Sequence, residues 1–379
     1  MINVAIQQPA LPKYRIPVFK LLNQQEEFSV TVYYATTPGI TNVAADGFAA
    51  QLSTTLTIQL PKLGPLYWDK NQIKQALNRQ NDVLILSWGN RYLSLLPALL
   101  IAKINKLPTV LWGHGYSKRR SNLISTFFRN AITKLASCVL FYDPNTADNF
   151  RATHPSIKCF TAPNTIDLKP VFEQGDYWRS NKAELDAFKE SNNIKNRNVV
   201  LHVSRLEQSN NLSDLIEAVA LVKKIMPSIL CLIVGDGEYS YKSEIQRLIK
   251  ELDCEENIKL LGAIYEEENL APWFVLSDVF CYPTNIGLSL NHAFGYHLPV
   301  IIGDDYTKCN PEIWAFNESI NGLTYTDGNP QSLSEKILVL FQNNKLRNKL
   351  SAGAYITAQE TSLAKMVQGF SDAIQHSKS

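Results

Sequence analysis

Residues that can bind phosphate follow two apolar runs in the C-terminal half of the sequence. Arg205 follows the run NVVLHVS, and its guanidinium group presents a planar fork of N–H donors that matches phosphate oxygens. The loop Pro283–Ser289 follows the run DVFCY; Gly287 would let the backbone approach a ligand, and the N–H groups of Leu288 and Ser289 would point at a phosphate. A helix N-terminus contributes only about 0.3–1 kcal/mol per charge, so this loop needs a cation such as Arg205 nearby. The alternatives are a surface arginine and an ordinary strand-to-helix turn.

Three further polar residues of this half have side chains suited to the hydroxyls of a sugar or ribose. His292 lies about one turn into the helix that the loop opens, and the alternative is a buried histidine with a protein partner. Glu312, in NPEIW, can accept hydrogen bonds from a sugar or can be an acidic residue at a helix N-terminus. Asp236 lies in a Gly-Asp-Gly turn, for which a structural role is the preferred interpretation.

In the N-terminal half, His114 follows the run PTVLWG and lies between Gly113 and Gly115. A lone histidine is usually structural. At the carboxyl end of a parallel strand and between two glycines, however, it is a better candidate for a residue that points into a ligand site. We therefore expect His114 to act in binding or catalysis.

Apolar runs alternate with segments of helical periodicity along the whole chain, a pattern typical of parallel sheets covered by helices on both faces. The predicted strands of the first half are INVAIQQ, FSVTVYYA, DVLILS, PTVLWGHG, SCVLFYD and KCFTAPN, with helices at 91–105 and 119–136. Those of the second half are NVVLHVSRL, ILCLIVGDG, NIKLLGAI, DVFCYP, PVIIGD and GLTY, with helices at about 211–226, 240–252, 266–276, 288–296 and 330–343. The pattern predicts two doubly wound, Rossmann-like α/β domains that face each other across a cleft, with ligands at the carboxyl ends of both sheets.

The chain has 379 residues, enough for two domains. A polar stretch, EQGDYWRSNKAELDAFKESNNIKNR, interrupts the alternation and is predicted to be a linker at 173–197. The first domain is then 1–172 and the second 198–359. A helix at about 360–379 is predicted to pack back on the first domain.

Composition excludes several classes of protein. The net charge is +2, so the sequence has no strong basic stripe for a nucleic acid. The N-terminus lacks the pattern of a signal peptide, and the longest apolar run, near Leu93–Ala102, is too short to cross a bilayer. Scattered cysteines without a CxxC pair predict free thiols in a reducing compartment and no zinc site. We expect a cytoplasmic protein.

A basic triplet, Lys118–Arg120, opens a predicted helix with an apolar stripe. The stripe is more typical of packed core than of a membrane wedge. The triplet is either a solvated helix start or a site for an acidic head group at the inner membrane surface.

The order of these motifs resembles that of glycosyltransferase family 4, retaining enzymes of the GT-B fold. APNTID at 162–167 resembles the family's PNGVD element, and SRL at 204–206 resembles its GRL element. IVGDGE, IKLLGAI and SDVFCYPTNIGLSLNHAFGYHLPVI resemble its donor-binding half. The last segment is also similar to a branch of the family found in bacterial surface-polysaccharide synthesis.

The resemblance implies that a nucleotide-diphosphate sugar binds in the second domain and that the sugar is transferred with retention and without a bound metal or other cofactor. Arg205 and the backbone of Gly287–Ser289 would hold the diphosphate, and His114 would contact the donor sugar. The acceptor, a lipid-linked glycan or an oligosaccharide, would bind in the first domain. Residues placed to contact it are Lys13, Arg15, Trp88 and Arg91.

The sequence departs from the family at three positions of the donor site. Asn210 stands where the family's GRLxxxKG motif has lysine, and Thr284 and His292 stand where an E-x7-E pair is expected. Thr and His can still hydrogen-bond hydroxyls, whereas Asn210 leaves the diphosphate without its second positive charge. All three positions are expected to contact the donor. The departures leave open a second hypothesis, a non-catalytic partner of GT-B fold or a glycan-binding subunit. An NAD-dependent enzyme is disfavoured because no GxGxxG motif opens either half.

Overall fold

The computed structural model describes residues 1–60, 64–89, 91–115 and 130–378. The chain divides into two compact units, one of Met1–Asn164 with Leu363–Ser379 and the other of Thr165–Ser362. The basic triplet Lys118–Arg120 and most of the helix predicted at 119–136 lie outside the described residues.

The first unit is built on a parallel sheet. Its strands are β1 (Ile2–Gln8), β2 (Phe28–Tyr34), β3 (Ala49–Leu52), β4 (Thr55–Leu60), β5 (Gly64–Asp69), β6 (Val83–Ser87), β7 (Thr109–Gly113), β8 (Cys138–Phe141) and β9 (Cys159–Thr161). The described strands form a seven-stranded sheet in the order β3-β2-β1-β6-β7-β8-β9, and β4 and β5 form a separate antiparallel hairpin. The helices described here are α1 (Ile16–Asn23), α2 (Lys70–Leu77), α3 (Leu95–Ile104) and α4 (Pro144–Thr153), preceded by a short 3-10 helix at Lys13–Arg15.

Successive residues of the central strands enter two different cores, which explains why these strands are apolar throughout. Val83 and Ile85 of β6 belong to one cluster of buried side chains, and Leu84 and Leu86 belong to another on the opposite face. Both faces of the sheet are therefore covered, and its polar chemistry is confined to the ends of the strands.

The second unit repeats this plan with other elements. Its strands are β10 (Asn198–Val203), β11 (Ile229–Val234), β12 (Ile258–Gly262), β13 (Val279–Tyr282), β14 (Val300–Gly303) and β15 (Gly322–Tyr325). They form a six-stranded parallel sheet in the order β12-β11-β10-β13-β14-β15. The α-helices are α5 (Lys169–Ser180), α6 (Lys182–Ser191), α7 (Leu212–Lys223), α8 (Tyr239–Glu251), α9 (Glu267–Val275), α10 (Ser289–Gly295), α11 (Pro330–Gln342) and α12 (Asn344–Glu360). Short 3-10 helices lie at Gln208–Asn210, Tyr306–Lys308 and Pro311–Ala315.

The segment 173–197, predicted as a linker, is instead helical and part of the second unit. Helices α5 and α6 occupy most of it, and Trp178 and Leu185 are buried in the core with Trp273. The change of unit comes earlier, between Asn164 and Thr165. A few apolar residues, such as Trp178 and Leu185, are enough to bury one face of each helix in this otherwise polar stretch.

The last helix, α13 (Leu363–Lys378), returns to the first unit, where a helix from about 360 was expected. Met366, Phe370 and Ile374 are fully buried in the first unit's core. Among the described residues, the helices lack the combination of length and hydrophobicity that a membrane span requires.

Candidate active site

The turn after β11 packs directly against the segment after β10. The backbone N–H of Leu206 donates to the carbonyl oxygen of Asp236 over 2.9 Å. A Cβ atom on Gly235 would lie 1.8 Å from the carbonyl oxygen of Ser204, and one on Gly237 would lie 2.1 Å from that of Leu206. Both glycines are therefore needed to bring the two backbones together, which fits the interpretation of Gly-Asp-Gly as a structural turn.

Asp236 itself has partners within the second unit. Its carboxylate accepts the N–H of Gly237 over 2.8 Å and forms an ion pair with Lys242 over 2.6 Å. The hydrogen bonds from Lys242 and then Gly237 hold the pKa of Asp236 below its usual value. These contacts account for Asp236 without a ligand, and its contact with a donor stays a prediction.

A chain of hydrogen bonds connects the core of the second sheet to the backbone of Arg205. His202 of β10 is fully buried, and its Nδ1–H donates to the carbonyl oxygen of Cys281 in β13 over 2.9 Å. Burial lowers the pKa of His202 to about 4, so the ring is neutral at pH 7. Its Nε2 is then an acceptor, and the hydroxyl of Ser204, at 2.7 Å, donates to it. A neutral histidine thus orients Ser204 at the end of its own strand.

Asn210 completes this chain. Its side-chain amide donates to the carbonyl oxygen of Arg205 over 2.6 Å and to the hydroxyl of Ser204 over 3.2 Å, and the residue is 3% exposed. Asn210, which stands in the place of the family's lysine, thus binds the loop that carries Arg205, here called the arginine loop. These contacts give no support to the prediction that Asn210 binds the donor. Asn211 adopts a φ of +49° where the GRLxxxKG motif has glycine, a conformation that asparagine tolerates.

Arg205 extends from this loop with its side chain 62% exposed, and its guanidinium nitrogen Nη1 lies 3.2 Å from the carboxylate of Glu207. An exposed ion pair of this kind contributes about 0.2–1 kcal/mol. A hydrogen bond to a charged group is worth about 1.5–3 kcal/mol. A phosphate group can therefore take Arg205 away from Glu207.

The loop Pro283–Ser289 lies against the segment after β10. The hydroxyl of Ser289 donates to the carbonyl oxygen of Val203, the last residue of β10, over 3.2 Å. The side-chain amide of Asn285 lies 3.4 Å from the hydroxyl of Ser209. Strands β10 and β13 are neighbours in the sheet, so the loop Pro283–Ser289 lies beside the arginine loop. The two loops were predicted to act together.

Gly287 leaves room for a protein side chain at this loop. A Cβ atom there would lie 3.1 Å from the amide nitrogen of Asn310, which donates to the carbonyl oxygen of Asn285 over 3.2 Å. The following helix α10 has only seven residues, so its dipole is short. In the described part of the chain, the backbone N–H groups of Leu288 and Ser289 have no acceptor, as is usual for a first helical turn.

The positions of the family's two glutamates have different surroundings. Thr284 is 8% exposed, and its buried hydroxyl has no hydrogen-bond partner among the described residues. His292 has a protein partner instead, because its Nε2 lies 2.9 Å from the carboxylate of Glu267, which also accepts the hydroxyl of Tyr296. The ring of His292 also contacts that of Phe274, with centroids 4.6 Å apart. The hydroxyl of Thr284 thus has no protein partner among the described residues, and its contact with a donor stays a prediction, whereas His292 matches the alternative of a histidine held by its own protein.

Two polar residues near this loop were not singled out from the sequence. Glu267 begins α9 and reaches His292 from 25 positions earlier in the chain, so no local spacing signals the pair. Asn310 donates its backbone N–H to the carbonyl oxygen of Ile286 over 2.8 Å and so holds the loop in place. Glu312, two residues later in a 3-10 helix, is a predicted donor contact and is 2% exposed.

In the first unit, His114 follows β7 and its side chain is exposed. Its ring lies against that of Tyr142, which follows β8, with centroids 4.8 Å apart. The flanking glycines have packing reasons of their own. A Cβ atom would lie 2.9 Å from the Cβ atom of Trp88 at Gly113 and 2.3 Å from the ring of Phe141 at Gly115. Tight packing of the strand end therefore leaves the His114 side chain at the carboxyl edge of the sheet.

Of the predicted acceptor contacts, Trp88 and Arg91 have opposite environments. Trp88 is 9% exposed and packs in the core against Phe141 and Phe150, with ring centroids 5.9 and 6.3 Å away, so its ring is not a surface for an acceptor. Arg91 is exposed and borders a cavity of about 210 Å³ beyond the ends of β1, β2 and β6. The cavity is also lined by Pro9, Ala35, Thr36, Thr37, Thr55, Tyr67, Gly89 and Tyr92.

Lys13 and Arg15 lie on the same 3-10 helix after β1. Lys13 is exposed, whereas Arg15 is 5% exposed and contacts the faces of three aromatic rings. A cation–π contact contributes about 0.5–2 kcal/mol, while a buried charge costs several kcal/mol. The rings therefore offset only part of the cost of burying Arg15.

Residues 184–357 match the model of the family described as glycosyl transferases group 1. Over this range the chain is similar to glycosyltransferases of this group. The matched range lies within the second unit and contains the arginine loop and the loop Pro283–Ser289. The predicted resemblance to glycosyltransferase family 4 is thereby confirmed. No curated protein matches the chain in sequence.

Solved structures of glycosyltransferases share the fold of this chain. HepE of Anabaena, in complex with UDP, has 16% identity and a TM-score of 0.71 over 99% of this chain and 100% of that chain. A glycosyltransferase of Rickettsia africae has 16% identity and a TM-score of 0.73 over 99% and 98%. The pneumococcal O-GlcNAc transferase GtfA, in complex with UDP and GlcNAc, has 12% identity and a TM-score of 0.66 over 99% and 99%. The predicted GT-B fold, with two Rossmann-like parallel-sheet domains, is confirmed.

Proposed function

We propose that this group 1 glycosyltransferase moves a sugar, with retention, from a nucleotide-diphosphate sugar to a glycan acceptor. The donor diphosphate binds at the carboxyl edge of the second sheet, between the Arg205 side chain and the N–H groups of Leu288 and Ser289. The acceptor binds at the edge of the first sheet.

One observation carries this proposal, the hydrogen bond from the Ser289 hydroxyl to the carbonyl oxygen of Val203 over 3.2 Å. It places the amide groups of Leu288 and Ser289 beside the segment that ends in Arg205. Neither the amides nor a single exposed arginine would hold a diphosphate well alone, since each contributes only a few kcal/mol at most. Together they form a donor set for a group with two negative charges.

The chemistry follows from where charge develops. The bond between the sugar's C1 and the β-phosphate oxygen breaks, and its electron pair stays on the phosphate. A bond from C1 to the acceptor hydroxyl oxygen forms on the same face of the sugar, and the hydroxyl proton passes to the leaving phosphate oxygen. Arg205 and the amide groups stabilise the charge that grows on the diphosphate, which is electrostatic catalysis by groups already in place. Thr284 offers its buried hydroxyl to the donor sugar.

For the acceptor, the support comes from the first unit. Arg91 borders a cavity of about 210 Å³ together with Tyr67 and Tyr92, an arrangement suited to a sugar ring with polar substituents. Tyr92 keeps its hydroxyl proton at any physiological pH, because burial and then Asp69 raise its pKa to about 12.

HepE is described in complex with UDP and also with UDP-glucose. We therefore place UDP-sugars first among the donors to test. For the pathway we propose the extension of a lipid-linked glycan of a bacterial surface polysaccharide, at the cytoplasmic face of the inner membrane. The resemblance of the segment 277–301 to enzymes of that synthesis supports this assignment.

The second candidate is a non-catalytic partner that binds a glycan without a donor. The observation in its favour is Asn210, whose amide is directed to Ser204 and Arg205 where the family has a cation for the diphosphate. Exposed Arg205 and the available amides of Leu288 and Ser289 favour the enzyme.

Calorimetric titration of the full-length protein with UDP, GDP and dTDP, and then with the matching sugars, separates the two candidates. We expect one nucleotide to bind, and its sugar conjugate to be hydrolysed slowly or transferred. If none of the three nucleotides binds, the enzymatic proposal fails and the partner remains. For arginine variants of the donor site, Arg247→Met serves as control, because Arg247 is an exposed arginine of the same unit that pairs with Glu251 on its own helix.

A further inference from the structure

Arg15 occupies an unusual environment at the carboxyl edge of the first sheet. Its guanidinium carbon lies 4.7 Å from the ring centroid of Trp112, 5.1 Å from that of Tyr14 and 5.3 Å from that of Tyr142. We call this group the Arg15 cluster. It is joined by Met366 of α13, whose sulfur lies 4.0 Å from the guanidinium nitrogen Nη1.

The charge of Arg15 has no counter-charge in the part of the chain that the structure describes. Its only hydrogen-bond acceptor there is the sulfur of Met366, which is a weak one. The residues outside the described part, 61–63, 90, 116–129 and 379, include no Asp or Glu in their sequence. A buried cation is normally paired with an anion, so the cluster lacks the partner that its burial calls for.

The neighbours of Arg15 add donors and positive charge. The indole Nε1–H of Trp112 is buried and has no acceptor among the described residues. Lys13 lies on the same 3-10 helix and is exposed, and His114 contacts Tyr142, the same ring that Arg15 contacts. Arg15 and the indole of Trp112 thus both present N–H donors without a strong acceptor among the described residues, a composition suited to an oxyanion.

We propose that the Arg15 cluster binds a phosphate group carried by the acceptor. This inference rests on the proposed function, because it assigns the acceptor a phosphate or diphosphate ester next to its sugar. The fork of N–H donors on Arg15 matches two oxygens of such a group. Lys13 beside it favours a dianion over a monoanionic carboxylate.

The test is calorimetric titration of the full-length protein with inorganic pyrophosphate while UDP saturates the nucleotide site. We expect pyrophosphate to bind the wild type, and Arg15→Met to weaken that binding at least tenfold. Arg15→Lys should give an intermediate affinity, because it keeps the charge and loses the fork. Arg151→Met is the matched control, since Arg151 is an exposed arginine of the same unit paired with Asp148, and it should bind as the wild type does.

Glucuronate and inorganic phosphate, as competitors, identify the class of anion. Competition by phosphate supports the proposal, whereas binding of glucuronate without pyrophosphate overturns it in favour of a carboxylate site. Unchanged pyrophosphate binding in Arg15→Met also overturns it, and Arg15 is then a structural cation held by its rings. If Arg15→Met does not fold, pyrophosphate binding is measured in Arg15→Lys and in Lys13→Met, which alters an exposed residue. Weaker binding in Arg15→Lys supports the proposal, and unchanged binding in both variants overturns it.

Failure of this inference differs from failure of the proposed function. Arg205→Met should weaken UDP binding about 10- to 150-fold and leave the pyrophosphate response of the Arg15 cluster in place. If the wild type binds no nucleotide, the difference between wild type and Arg15→Met in pyrophosphate titration still reports on the cluster.

Discussion

The polar edges of the two sheets are built in different ways. In the second unit, backbone segments contact each other directly, as where a Cβ atom on Gly235 would lie 1.8 Å from a carbonyl oxygen, and Asn210 and Ser289 hold them with hydrogen bonds. In the first unit, the edge consists of large side chains: the aromatic rings around Arg15 and the cavity beside Arg91. A site made by close backbone approach requires particular residues at fixed positions, whereas a site made by side-chain packing allows many solutions. This difference explains why the sequence motifs are concentrated in the second unit, the proposed donor half.

The largest expected effect tests whether backbone contact really supports the second edge. Gly235→Ala places a methyl group against the carbonyl oxygen of Ser204 and should lower the free energy of unfolding by roughly 3 kcal/mol or more. Gly328→Ala is the control: its φ is +76° but nothing lies within 4 Å of the new Cβ atom, so only about 1–2 kcal/mol of backbone strain is expected. Equilibrium urea unfolding measures both. Equal losses in the two variants would mean that the contact at Gly235 relaxes freely.

The second prediction concerns the free energy of unfolding at low pH, and it again compares the two units. The pKa of His202 is about 4 in the folded protein and 6.5 in a model compound, so the unfolded chain takes up a proton first as pH falls. His202 therefore contributes stability that is fully present above pH 6.5 and is lost between about pH 6.5 and 4, roughly 3 kcal/mol in total. His297, whose pKa burial also lowers to about 4, adds to the wild-type slope.

The variant His202→Gln isolates this contribution. It should flatten the dependence of the unfolding free energy on pH in that window, whatever its stability at pH 7. The comparison variant is His154→Gln. His154 is a half-buried histidine of the first unit that is hydrogen-bonded to Thr153 and Asn130. If the unfolding free energy of His202→Gln falls with pH as steeply as that of the wild type, His202 does not contribute the predicted dependence on pH.

The third prediction is catalytic. Arg205→Ala removes one charge-assisted contact to the diphosphate, worth about 1.5–3 kcal/mol, and should lower kcat/KM by about 10- to 150-fold. Because Arg205 is 62% exposed, the melting temperature should hardly change. Steady-state kinetics with the nucleotide sugar found by calorimetry measures the effect, with Arg247→Ala as control. An unaltered kcat/KM would remove Arg205 from the proposed donor site.

The smallest effect distinguishes the role of Asn210 from that of the family's lysine. Asn210→Lys loses two buried hydrogen bonds and should destabilise the protein by about 1–3 kcal/mol without tightening nucleotide binding. Asn344→Lys, at an exposed position, controls for the added charge. A tighter nucleotide complex in Asn210→Lys would mean that the side chain can leave its internal bonds and reach the diphosphate after all.

Much of the second unit could be predicted, for a physical reason. Its strands are apolar throughout and its helices amphipathic, so α7 at Leu212–Lys223 and α8 at Tyr239–Glu251 fall close to the ranges 211–226 and 240–252. Arg205 and the loop Pro283–Ser289 were placed together because strand ends of a parallel sheet share one edge. The partners that hold Asn210 and His292 could not be foreseen, since they depend on side-chain directions within the fold.

The first unit was harder to predict for the opposite reason. In the hairpin β4–β5, β4 is largely exposed and β5 is half-buried, and their residues give neither an apolar run nor a helical period. Trp88 follows a strand and was therefore predicted to bind a ligand, yet its ring packs in the core against Phe141 and Phe150. The segment 173–197 looked like a linker because it is polar, yet Trp178 and Leu185 suffice to anchor it.

The return of α13 to the first unit has a consequence for how the molecule is made. Phe370 lies edge-on against Trp112, with ring centroids 4.6 Å apart, and Met366 touches Arg15. On the ribosome, residues 363–378 emerge after every residue of the second unit. The second unit can therefore reach its native state during translation. The core of the first unit stays uncovered on one face until its last helix has been synthesised.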